Sequence, residues 1–60
     1  MKLPFDPLFW KDKGKVIAFA IKMAKGSVPM TVLWNGQNYN IIHTENEERL
    51  LRGRPVIYRT

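Results

Sequence analysis

Residues 29–43 read P-M-T-V-L-W-N-G-Q-N-Y-N-I-I-H, two runs rich in β-branched and aromatic side chains held apart by Asn35-Gly36. Such runs favour strands, and an Asn-Gly pair between them favours a hairpin. A two-residue type I′ turn needs positive φ at both central positions, which Asn tolerates and Gly takes without steric cost. With Asn35 and Gly36 in those positions, the predicted register sets Trp34 opposite Gln37, Leu33 opposite Asn38, Val32 opposite Tyr39, Thr31 opposite Asn40 and Met30 opposite Ile41. Side chains alternate along a strand, so Met30, Val32, Trp34, Tyr39 and Ile41 share one face and Thr31, Leu33, Asn38 and Asn40 the other. One face is apolar and one mostly polar, the pattern of an antiparallel sheet covered on a single side.

The apolar face needs a lid, and the segment before the hairpin supplies it. Residues 15–25, K-V-I-A-F-A-I-K-M-A-K, hold enough Val, Ile and Phe to suggest a strand, but as a strand Lys15 and Lys22 would point to opposite faces. At about 100° per residue, Lys15, Ala18, Lys22 and Lys25 fall within an arc of roughly 80°, with apolar side chains around the rest. The spacing therefore predicts an amphipathic helix over about 15–25. A break near Lys13-Gly14 keeps Lys13 off its apolar face, and Gly26 stops it. Ile17, Phe19, Ala20, Ile21, Met23 and Ala24 are expected to meet the sheet.

Shorter elements flank this pair. Asp6-Pro7 starts a helical turn near 7–12, since a carboxylate accepts orphan N–H groups and proline lacks one. Thr44-Glu45-Asn46-Glu47 reads as a capping box opening a helix over 45–52, with Glu45–Arg49 and Glu48–Arg52 spaced for i, i+4 pairing. Pro55 to Arg59 reads as a third strand, with proline at its start. The expected fold is α+β, a three-stranded antiparallel sheet built on the 29–43 hairpin with one helix on its apolar face. A small all-β barrel, with Lys15 to Met23 as a strand, is the alternative. Residues 1–60 form one domain on this reading, with residues 1–6 loosely ordered.

Composition bounds the function. Ten Lys and Arg against five Asp and Glu give a net charge of +5 and a pI near 10.0. Lys2, Lys11, Lys13, Lys15, Lys22 and Lys25 against Asp6 and Asp12 leave +4 in residues 1–25, and four Arg against three Glu leave +1 in the remainder. Without cysteine, the chain has no disulfide, iron–sulfur cluster or thiolate zinc site. No apolar run approaches the roughly 20 residues that span a bilayer, so membrane insertion is not expected and a cytoplasmic protein is the default. His43 has only Thr44 and Glu45 nearby in sequence, and neighbours on an extended chain point apart. No catalytic residue, metal or cofactor is expected.

What remains is binding. Lysines about a turn apart on a helix can meet successive phosphates of a nucleic acid and release counterions. Lys11, Lys15, Lys22 and Lys25 fit that role, and Arg52 and Arg54, flanking Gly53 at a helix end, can seat phosphate oxygens. At the hairpin tip, Trp34 can stack on a base, while Gln37 and Asn38 can address base edges. The first expectation is a small basic domain binding DNA or RNA. The alternative is a module for an acidic protein partner anchored by Phe5, Phe9 and Trp10, since aromatic residues dominate interface hot spots. A homodimer through an open sheet edge is a third.

Overall fold

The protein is described here by a computed structural model covering residues 6–60. A 3-10 turn, Phe9–Lys11, leads into helix α1, Lys13–Ala24, followed by strands β1, Met30–Trp34, and β2, Tyr39–His43. A second 3-10 turn, Thr44–Asn46, a short helix α2, Glu47–Leu50, and strand β3, Val56–Arg59, complete the chain. The three strands form an open antiparallel sheet in the order β2-β1-β3, which is the expected α+β architecture and not a closed barrel. The expected loose order of residues 1–6 and the anchor role of Phe5 lie outside the described residues, Asp6 excepted.

The hairpin forms in a different register from the expected one. Val32 stands opposite Ile41, Leu33 opposite Asn40 and Trp34 opposite Tyr39, each partner displaced by two residues. Asn35 is the cause. Its N–H donates to the Asn38 carbonyl at 3.1 Å, and its Oδ1 accepts the N–H groups of Gln37 and Asn38, both at 2.8 Å. Its Nδ2 donates to Asn40 Oδ1 at 2.6 Å. The side chain thus closes the turn from outside it, and Gly36-Gln37 become the central pair, with positive φ at Gly36 alone (98°). A slip of two residues preserves the alternation, so the apolar face keeps its members. Asn35→Ala removes these bonds and is expected to lower stability by about 1–2 kcal/mol, measured by thermal unfolding.

Helix α1 covers that face. Asp12 caps it, accepting the Lys15 N–H at 3.1 Å, so the break falls at Asp12 and not at Lys13-Gly14, and Lys13 escapes the apolar face as the first, exposed helical residue. Val16, Ala20 and Ala24, four residues apart, are buried against Met30 and Val32, with Phe9, Trp10, Ile17, Met23, Tyr39, Ile41 and Ile57 around them. Ile21, expected in this contact, is 50% exposed. The two alanines allow a close approach at Ala20, and Ile21 lies about 100° round the helix from there.

The second face of the sheet is covered too, which corrects the single-sided expectation. Because β1 lies between β2 and β3, the chain leaving β2 must cross β1 to reach β3. The crossing segment covers Thr31 and Leu33, 0% and 2% exposed. The Thr31 hydroxyl donates to Glu47 Oε2 at 2.6 Å and lies 2.8 Å from the Thr44 hydroxyl. Its single proton is committed to Glu47, so Thr44 donates to Thr31. The capping box therefore does not form: both of its members turn to Thr31, and α2 is confined to Glu47–Leu50. Neither Glu45–Arg49 nor Glu48–Arg52 closes; among the described residues the ion pair is Arg59–Glu47, at 2.7 Å.

The type I′ conformation appears instead at Arg52-Gly53. Both have positive φ, 51° and 77°, and the Arg54 N–H donates to the Leu51 carbonyl at 3.0 Å. A left-handed arginine is strained by about 1 kcal/mol. Arg52→Asn, with a side chain that tolerates this region, is expected to raise stability by about 0.5–1 kcal/mol, a shift of a few degrees in Tm.

Candidate functional site

The outer face of α1 holds Lys15, Ala18 and Lys22 as its periodicity requires, but the helix ends at Ala24 and Lys25, expected within it, is its left-handed C-cap (φ 47°), outside the helical arc. Lys15, Ala18, Lys22 and Lys25 are all exposed, and Lys11 is exposed in the preceding turn. Lys15 and Lys22 are separated by about 10 Å along the helix axis. None of these lysine side chains makes an ion pair or hydrogen bond among the described residues.

Acidic groups are disposed unequally around the molecule. Asp6 and Asp12 are engaged by backbone N–H groups, of Leu8 at 2.9 Å and Lys15 at 3.1 Å. Glu45, Glu47 and Glu48 belong to the crossing segment; Glu47 reaches Thr31 on the face of the sheet opposite α1, while Glu45 borders Ser27 and Val28 of the loop that follows α1. Among the described residues no carboxylate pairs with a lysine of this face. Arg52 and Arg54 are exposed, but they lie in the link from α2 to β3, not on the α1 face. Arg52 and Arg54 thus belong to a different segment from the four lysines.

At the hairpin tip, Trp34 is half-buried, its ring 4.7 Å from that of Tyr39 at a 57° tilt. Gln37 is exposed, while Asn38 is half-buried with its N–H held by Asn35. Asn35 and Asn40 bond each other, which withdraws them from any base-reading surface. Phe9 and Trp10 are half-buried against the core and pack edge to face at 5.0 Å, with Phe9 in the same relation to Phe19 at 5.5 Å. Their apolar area is largely engaged inward.

Sequence reasoning missed the polar cluster behind the sheet. Glu47 accepts from Thr31 and, in a two-point contact, from Arg59 Nε at 2.8 Å and Nη2 at 2.7 Å. The Arg59 and Thr31 hydrogen bonds hold the Glu47 carboxyl down from 4.5 to about 2, and the same contact raises Arg59. One signal was available: Thr31 is a lone hydroxyl within M-T-V-L-W, and a buried hydroxyl needs a partner.

Among the described residues no group of three or more His, Cys, Asp or Glu could hold a metal ion, and no helix is long and apolar enough to cross a membrane. An apolar groove of ≈ 390 Å³ opens between the end of α1 and β3, lined by Ile21, Ala24, Val28, Pro29, Tyr58 and Thr60 among others. Comparison with protein-family models, with curated proteins and with solved structures gives no match.

Proposed function

We propose that this chain is a small non-enzymatic nucleic-acid-binding domain that grips the phosphate backbone with the solvent face of α1. The observation that carries this reading is the lysine face of α1: Lys15 and Lys22 are exposed on one side of the helix and Lys25 is exposed at its C-cap, none of them in an ion pair among the described residues, while Glu47 is held behind the sheet. A helix pinned to a sheet presents its cations at fixed spacing, and phosphate contacts of this kind need no base recognition. Lys11 extends the face. Trp34 and Gln37 provide a secondary contact where a base is unstacked. Arg52 and Arg54 contribute only where the nucleic acid wraps beyond the helix.

Binding to DNA or RNA at low ionic strength is expected to weaken as salt rises. Replacing Lys15, Lys22 and Lys25 together by Gln is expected to reduce the slope of log affinity against log salt by about 2 to 3, since each phosphate contact contributes roughly 0.7–0.9. Fluorescence anisotropy with a labelled oligonucleotide measures both. No binding at micromolar protein and low salt, or a slope unchanged by the triple substitution, overturns the reading.

A further inference from the structure

The two edges of the sheet are not equivalent. Two backbone hydrogen bonds beyond the ends of the β1–β2 ladder, Asn35 N–H to Asn38 O and Thr44 N–H to Pro29 O, both 3.1 Å, fix which β2 residues face β1. By alternation, Asn40 and Ile42 direct their N–H and C=O groups inward, and Tyr39, Ile41 and His43 direct theirs outward. Of the six backbone groups of those three residues, the His43 C=O opens the Thr44–Asn46 turn, and the other five lie on the outer edge without partners among the described residues.

The β3 edge carries the usual protections against pairing. It is four residues long, follows Pro55, and has a register irregularity between Val32 and Leu33 that inserts Ile57 as a bulge. Its outer edge also includes the cation Arg59, held by Glu47. Short length, proline, charge and bulges are how natural sheets block edge-to-edge contact. Strand β2, Y-N-I-I-H, has none of them.

We infer that the outer edge of β2 is a self-association surface and that its occupant is β2 of a second copy of this chain. An antiparallel pairing about a two-fold axis through Ile41 sets Ile41 opposite its mate and Tyr39 opposite His43. Each of the three outward residues then finds an outward residue across the axis, so all the free groups are used, with the His43 C=O accepting a second hydrogen bond on its remaining lone pair. Any other register leaves an outward residue beyond the partner's strand. Charge favours the same edge: a chain of net charge +5 repels its copy, yet no Lys, Arg, Asp or Glu lies on β2, so pairing sets no like charges opposite one another. Leu8, 73% exposed, caps the turn that packs beside β2, and a second copy at this edge shields it from water. The product is a continuous six-stranded sheet with both α1 helices on one side. The pairing is independent of what the lysines bind.

Light scattering and backbone amide exchange on the unmodified chain, without nucleic acid, test this. The expected result is a dimer at high concentration in which the amides of Tyr39, Ile41 and His43 exchange at least about tenfold more slowly than in a dilute sample. Ile41→Pro removes an outward N–H together with the Ile41 side chain that packs on the core, so it is expected to be monomeric and less stable than the parent, with the same fold by circular dichroism. Should that variant unfold, the exchange pattern of the parent decides alone. A monomer at every concentration, or a dimer in which those three amides exchange freely, overturns the inference; the latter would put the contact elsewhere, as at the groove beside Tyr58.

Discussion

Leu33→Ala is expected to remove about 2–4 kcal/mol of folding stability, read as a lower midpoint in urea at unchanged slope. Leu33 is 2% exposed and lies on the face of β1 turned away from α1, under the segment that crosses from β2 to β3. Its truncation opens a cavity there. A chain of 60 residues has of the order of 3–9 kcal/mol in total, so the variant loses a large share of its folded population. The size of the effect discriminates between architectures. On a sheet covered on one side only, Leu33 would face water and its truncation would cost a few tenths of a kcal/mol, as surface substitutions do. Ile21→Ala is the internal comparison: Ile21 belongs to the apolar arc of α1 but is 50% exposed, so less than about 1 kcal/mol is expected from its loss. Equal effects at Leu33 and Ile21 would contradict the second layer.

The same pair of residues explains what was legible in the sequence. The hairpin, the helix and the third strand were legible because each rests on local periodicity or turn chemistry, and the lysine face because helical period fixes which residues share a side. The second layer was not. Thr31 and the asparagines of β2 made one face look solvated, whereas a strand buried on both sides reads as a continuous run, which M-T-V-L-W also is. Register failed because Asn35 acts through its side chain rather than through a left-handed backbone. The contact face of α1 was displaced because bulk suggested Ile21, while the alanines set the closest approach. For the candidate site, exposure of the lysines followed from pattern. The separation of Arg52 and Arg54 from them depends on the path of the crossing segment, and local sequence does not specify that path.

Glu47→Gln is expected to produce the largest loss of stability among single charge substitutions at neutral pH, and to abolish an acid-sensitive component of unfolding. Glu47 is the point through which three separate segments meet: Thr31 in the central strand, Arg59 in the edge strand, and α2, which carries it. Its side chain is only 16% exposed, so an amide in its place leaves the Arg59 guanidinium facing a neutral group and one hydrogen bond poorly matched. Because the folded-state carboxyl is held at about 2 against an ordinary 4.5, the folded chain binds fewer protons than the unfolded one between those values. The contribution is therefore fully present above about pH 4.5 and is lost as the pH falls toward 2. Urea midpoints across that interval should decline in the parent and lose that component in Glu47→Gln, which has no proton to bind there. Glu45→Gln and Glu48→Gln, exposed and without hydrogen-bond partners among the described residues, control for the loss of one negative charge. A decline as steep in Glu47→Gln as in the parent would mean that the Thr31–Glu47–Arg59 contact does not hold the crossing segment against the sheet. The long path from β2 to β3 would then depend on Leu33 alone, which the first substitution measures independently.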